Sequence, residues 1–184
     1  LTLYIPTNGT STDIAPDGNR IAFIGARQGA TSLFIYTLSA RSPVEVPGTR
    51  DAANPMFSPD GEWVAFLQAR ALNKVPAAGG PVQTIEPADR GGVGPPTWLS
   101  DGRIVRGNQI GSPVRQFGAE QRDLTRVMPG EDGHLTPLSM RDGSLLFAAM
   151  RGGFHGSLNR IMVVRPGAPE AREVVADGTS PQLA

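Results

Sequence analysis

Asn54-Pro55-Met56-Phe57-Ser58-Pro59-Asp60-Gly61-Glu62-Trp63-Val64-Ala65-Phe66 spells a strand, a tight turn and a returning strand. Pro59 presets φ for the first corner of the turn. Asp60 can accept a hydrogen bond from backbone just ahead of it, and Gly61 supplies a positive φ without a Cβ clash. Apolar residues flank the turn on both sides, which is the pattern of a β-hairpin.

The hairpin recurs along the chain. Ala15-Pro16-Asp17-Gly18 leads into Arg20-Ile21-Ala22-Phe23, Ser100-Asp101-Gly102 into Ile104-Val105, and Arg141-Asp142-Gly143 into Leu145-Leu146-Phe147. The aspartates at 17, 60, 101 and 142 are spaced by 43, 41 and 41 residues. A second marker, Pro55, Pro96, Pro137 and Pro181, steps by 41, 41 and 44. Two markers sharing one period define a repeat. The third and fourth copies are one residue shorter between Asp-Gly and the apolar strand.

Each hairpin is followed by a third strand, expected at 32–38, 71–75, 114–118 and 160–165. A fourth is expected at 44–46, 82–85, 124–128 and 173–176. Four short strands per repeat of this length form the blade of a β-propeller. Helical repeats are set aside, because Pro and Gly interrupt every candidate helix. A β-sandwich also has short strands and frequent turns, but does not require a fixed period.

The expected fold is all-β, an incomplete propeller of four-stranded antiparallel blades within residues 1–184. Blades cover 7–47, 48–88, 89–129 and 130–177. Residues 1–6 would be a closing outer strand and 178–184 the start of a fifth blade. The two ends would then belong to one unfinished blade. The expectation is a longer gene product of six or more blades, with the remaining blades from the same or another chain. Left open, the terminal faces and edges would be exposed.

Composition agrees. There are 23 glycines and 17 prolines among 184 residues, so turns are frequent. Seventeen basic and 17 acidic residues balance, so the basic excess of a nucleic-acid footprint is missing. Lys74 is the single lysine, and with the Ala, Gly and Pro bias this points to a GC-rich bacterial gene. With no cysteine, disulfides, thiolate zinc sites and Cys nucleophiles are excluded. No apolar run has the length of a membrane helix, so no membrane insertion of this segment is expected.

Residues 54–66 resemble the Pro-Asp repeat of TolB-like propellers. The Asn73-Lys74-Val75-Pro76-Ala77-Ala78-Gly79-Gly80 and Trp98-Leu99-Ser100-Asp101-Gly102 segments make the chain most similar to propellers attached to bacterial serine/threonine kinases. Asp101 and Asp142 depart from that pattern in lacking a preceding Pro, and Arg106 stands where an aromatic is expected. The resemblance implies a sensor or scaffold that is extracytoplasmic or periplasmic.

Asp17, Asp60, Asp101 and Asp142, with Gly18, Gly61, Gly102 and Gly143, read as structural turn residues, since every blade needs the hairpin. Ser58–Trp63 also resembles the sialidase Asp-box, itself a hairpin feature. His134 and His155 lie in glycine-rich loops and are expected to be exposed. No nucleophile elbow accompanies them, and no acid cluster has metal-ligand spacing. Arg90-Gly91-Gly92-Val93-Gly94 lacks the Lys-Ser or Lys-Thr of a phosphate loop. No catalytic residue, metal or cofactor is therefore expected.

Loops displayed on a rigid scaffold carry binding. Connections between successive blades would gather on one face, which makes Arg50, Asp51, Arg90 and His134 the ligand-binding candidates. The bland alternative for each is a solvated loop residue. The expected function is non-catalytic binding of a protein or peptide partner, or of a small ligand at the propeller face. The alternative is the propeller domain of a larger, prolyl-oligopeptidase-like hydrolase whose catalytic residues lie elsewhere. A propeller lyase or hydrolase working through its own channel would need inner-strand acids and histidine that this segment does not show.

Overall fold

The computed structural model describes residues 12–27, 29–87, 95–107, 111–152, 159–168 and 170–175. The segments 1–6 and 178–184, Arg90 and His155 lie outside the described residues. The described residues contain sixteen strands and no helix. Four antiparallel sheets of four strands account for all of them.

The first sheet holds β1 (Thr12–Ile14), β2 (Arg20–Arg27), β3 (Ala30–Thr37) and β4 (Val44–Glu45). The second holds β5 (Ala52–Phe57), β6 (Trp63–Gln68), β7 (Ala71–Pro76) and β8 (Gln83–Glu86). The third holds β9 (Pro96–Trp98), β10 (Ile104–Gly107), β11 (Val114–Phe117) and β12 (Arg122–Asp123). The fourth holds β13 (Gly133–Ser139), β14 (Leu145–Met150), β15 (Arg160–Val164) and β16 (Arg172–Val175). Each is a simple meander, with strands paired in sequence order. The chain divides into two compact units, Leu1–Gly91 and Gly92–Ala184.

The repeated turn has one construction in all four sheets. The Asp side chain accepts the N–H two residues ahead: Asn19 to Asp17, Glu62 to Asp60, Arg103 to Asp101 and Ser144 to Asp142, at 2.9–3.1 Å. The following glycine has φ between 72° and 81°. Its N–H returns to the carbonyl three residues back, at Ala15, Ser58, Leu99 and Met140. The turn closes between Ala15 and Arg20 and between Ser58 and Trp63, but between Leu99 and Arg103 and between Met140 and Ser144 in the shorter copies. That is the missing residue seen in the sequence.

Pro55 and Pro137 mark bulges. Ladder register shifts between Ala53 and Met56 and between Leu135 and Leu138. Asn54 and Thr136, just before these prolines, have positive φ. A proline is tolerated there because the bulge needs no ladder donor.

In unit 1 the first sheet packs on the second through a core that includes Ile24, Leu33, Ile35, Val64, Phe66 and Val75. In unit 2 the third sheet packs on the fourth through Val105, Val114, Leu145, Phe147 and Ala149. Each pair of sheets is also latched by a side chain from its first inner strand. Asp13 Oδ2 accepts the Phe57 N–H at 2.7 Å, and Thr97 Oγ1 donates to the Pro137 carbonyl at 2.6 Å. Both side chains lie four residues before their turn aspartate.

Gly107 permits the closest approach in unit 2. A Cβ there would sit 2.6 Å from the His134 carbonyl oxygen and 2.9 Å from Leu135 Cα. Backbone cannot swing aside as a side chain can. Gly107→Ala is expected to cost about 1–3 kcal/mol, the usual range for overpacking. Urea denaturation followed by Trp98 fluorescence in a Trp63→Phe background would check this, and an unchanged midpoint would contradict it.

Candidate functional site

The third sheet ends early. Its outer strand was expected over 124–128, but β12 stops at Asp123. The Leu124 N–H still reaches the Val114 carbonyl, and Thr125 Oγ1 then accepts the Val114 N–H at 2.8 Å. The ladder is capped there, and residues 126–132 leave it as a detour. Unit 1 has the same cap. The Val46 N–H reaches the Leu33 carbonyl, and Thr49 Oγ1 accepts the Leu33 N–H at 3.0 Å. There the Thr49 hydroxyl donates to Val46, at 2.6 Å. Thr49 is buried as a result, although it falls in a stretch that reads as a charged loop.

His134 corrects the expectation of exposure. It is only 2% exposed. Its glycine-rich surroundings suggest a loop, but β13 starts at Gly133, which pairs with Met150, and His134 pairs with Ala149. The ring packs on Phe147 at 4.5 Å between centroids. Both ring nitrogens have partners: Nδ1 lies 2.7 Å from Thr125 Oγ1 and Nε2 lies 3.1 Å from Glu131 Oε2.

Glu131 is the hub. Its side chain is as buried as that of His134. Oε2 also accepts the Met128 N–H at 2.8 Å, and Oε1 pairs with Arg160 Nη2 at 2.6 Å. Arg160 Nη1 continues to Glu173 at 3.2 Å. The network ties the detour to both β13 and β15. Burial holds the His134 pKa below its ordinary value, against the opposing pull of Glu131. The ring is therefore neutral at pH 7. An unprotonated Nε2 would face a carboxylate, so Nε2 carries the proton and the Thr125 hydroxyl donates to Nδ1.

A stability consequence follows. The folded pKa lies below the unfolded value of about 6.5. Between the two, the unfolded chain binds a proton that the folded chain does not, so stability falls as pH drops from about 6.5 toward the folded pKa. In a Trp63→Phe background, the urea midpoint read by Trp98 is expected to decline over this window with His134 intact and to flatten in His134→Gln. A midpoint constant across it with His134 intact would contradict the assignment.

Detour and sheet enclose a cleft of about 340 Å³. Phe147, Met162, Val164 and Leu124 line its apolar part, while Arg126 and Glu170 are exposed at its margin. Sequence reasoning offered His134 as a ligand-binding candidate, in one connection with Glu131, but gave no place to Thr125 or Arg160. The available signal was a glutamate three residues before the histidine.

The other candidates fall elsewhere. Arg50 and Asp51 belong to unit 1 and are highly exposed, with a loose ion pair of 3.8 Å. Their backbone is fixed: the Asp51 N–H donates to the Thr31 carbonyl and Gln68 Nε2 to the Arg50 carbonyl. Arg106, the departure from the aromatic pattern, is fully buried, with its guanidinium 5.4 Å from the centre of the Phe117 ring. Among the described residues no group of three His, Asp or Glu side chains could hold a metal ion.

Four-stranded antiparallel meanders that stack on their faces and repeat one hairpin turn are blades, and the chain carries a β-propeller fold of the TolB-like kind. The solved structures it resembles include TolB from Acinetobacter baumannii, at TM-score 0.70 and 15% identity over 90% of this chain and 43% of that one. A putative TolB from Agrobacterium tumefaciens gives TM-score 0.71 and 13% identity over 91% of this chain and 65% of that one. An acylaminoacyl peptidase from Pyrococcus horikoshii gives 0.59 and 14%, over 92% of this chain and 33% of that one. The chain thus spans less than two thirds of the length of each. No protein-family model matches it, and neither does any curated protein sequence.

Proposed function

We propose that the chain is a non-catalytic binding module, a sensor or scaffold that holds a protein or peptide partner or a small ligand. The observation that carries this reading is the cleft of unit 2. It is built by a chain detour and braced by a buried Glu131–His134–Arg160 network, while its margin stays open to solvent. Its polar groups are spent on one another, which suits a rigid wall better than a reacting centre. Likeness to TolB structures supports the fold of such a module. An extracytoplasmic setting in a bacterial TolB-like or kinase-linked protein belongs to the same proposal. Among the described residues no helix is long and apolar enough to cross a membrane.

The test uses the immobilised chain as bait in an extract of the organism that encodes it, with a thermal-shift panel of small metabolites alongside. A partner that rebinds in purified form, or a saturable ligand, is expected. Finding neither would overturn the reading.

A second reading is favoured by the likeness to the acylaminoacyl peptidase, of which the chain spans a third. The chain would then be the propeller domain of a larger hydrolase. A fluorophosphonate probe that labels a serine of the full gene product outside these residues would support that reading.

A further inference from the structure

We propose, resting on the binding-module reading, that the unit 2 cleft docks an extended segment of a partner protein. One bulky apolar side chain enters the cleft and the segment's main chain runs along the outer edge of β16.

The chain contains its own comparison. Val46 and Leu124 each donate to the carbonyl of the residue whose N–H the threonine caps, and Val75 and Val164 hold the same place opposite their turns. In unit 1 this region is closed, with Val46 and Val75 buried. In unit 2 Leu124, Met162 and Val164 are only half-buried and line the cleft. The difference lies in the connection. From Val46 to the start of β5 at Ala52 is six positions, whereas from Leu124 to the start of β13 at Gly133 is nine. A short turn suffices to join two sheets. The longer path buries a carboxylate and an imidazole, whose desolvation is costly and whose pairing seldom repays it in stability. What the longer path adds is a wall held at a fixed distance from β15.

The occupant follows from size and surroundings. About 340 Å³ is at the lower end of ligand sites. The floor is apolar, as for one large side chain. Glu170 and Ala171 at its margin lead directly into β16, the outermost strand of its sheet among the described residues. All four residues of β16 are exposed, Val174 at 51% and Val175 at 47%. An outer edge offers a row of main-chain donors and acceptors, and strand addition combines such an edge with side-chain pockets. Arg126 and Glu170, of opposite charge, flank the mouth and suit the polar main chain of a peptide.

The experiment measures anisotropy with fluorescent heptapeptides of alternating threonine and valine around one central position. Central tryptophan or phenylalanine is expected to bind at least tenfold more tightly than central alanine. Ala171→Trp, which fills the cleft, is expected to weaken the tryptophan peptide at least tenfold with an unchanged thermal melt. Met128→Asp charges an exposed position of the wall, and gives the same readout if Ala171→Trp fails to fold. N-methylation of alternate amides along either edge of the peptide is expected to abolish binding in one of the two registers. Equal affinity for tryptophan and alanine peptides, indifference to both variants, or indifference to N-methylation in both registers would overturn the proposal. So would the absence of saturable binding by any peptide. Ala171→Trp and wild-type baits are also compared in the extract. If both recover the same purified partner, the module reading stands and this docking site falls; if neither recovers one, both fall.

Discussion

Glu131→Ala lowers the stability of unit 2 by about 3 kcal/mol, the low end of the range for removing one partner of a buried charge pair. The lower figure applies because Arg160 keeps Glu173 and some solvent access. Three groups lose their acceptor together: the Met128 N–H, His134 Nε2–H and one arm of Arg160. Each buried polar group left unpaired costs about 1–3 kcal/mol. Glu131→Gln keeps an acceptor oxygen and is expected to lose roughly half as much. Trp98 is the one tryptophan of unit 2, so urea denaturation in a Trp63→Phe background reports on this unit. A loss below about 1 kcal/mol for the alanine variant, the size of one ordinary hydrogen bond, would show that the network is not the brace described.

Phe66→Ala produces a loss of similar or larger size in unit 1. Phe66 is fully buried between the first and second sheets, beside Val64 and Val75. Truncation removes its transfer free energy and leaves a cavity, together about 3–5 kcal/mol. Trp63 on the same strand reports it in a Trp98→Phe background. Trp63 carries Lys74 over its ring at 4.1 Å, so its emission responds when β6 and β7 separate. A loss under about 2 kcal/mol would mean that the two sheets close over the gap, since the cost depends on how far the site can collapse.

The turns and the blades were legible because their chemistry is local. Pro, Asp and Gly act on backbone within a few residues, and the shorter third and fourth turns appear in the spacing itself. The place of Arg106 was also visible as a departure from an aromatic pattern, although its burial was not. The site was less legible, because its geometry depends on partners distant in the chain. His134 is buried by pairing with Ala149 and by the Phe147 ring, on a strand that follows the next turn. The glycines around it advertise a loop, yet Gly133 with φ 133° opens a strand. The outer strand expected at 124–128 fails for a related reason. Its apolar residues suit a strand, but the threonine cap on Val114 takes the donor that the ladder would have used. Arg50 and Asp51 announce themselves by charge, whereas Thr125 and Arg160 do not look different from other surface residues.

The repeated turn has a consequence for how the molecule ages. Asp-Gly is the aspartyl dipeptide most open to succinimide formation, in which the glycine nitrogen attacks the aspartyl carboxyl, water leaves, and hydrolysis reopens the ring as isoaspartate. The chain carries six such pairs, at 17, 60, 101, 132, 142 and 177, and the four at 17, 60, 101 and 142 are the repeated turns. In each of the four turns the glycine N–H is held by a carbonyl three residues back, and the carboxylate is held by the N–H two residues ahead. Nucleophile and electrophile are thus both held out of reaction. Hydrogen bonding also holds Asp60, Asp101 and Asp142 below the usual carboxylate range, so the reactive acid form is scarce. At these four turns the damage accumulates while a hairpin is open. Isoaspartate counted at each turn would then record how long each blade has spent unfolded during the life of the protein.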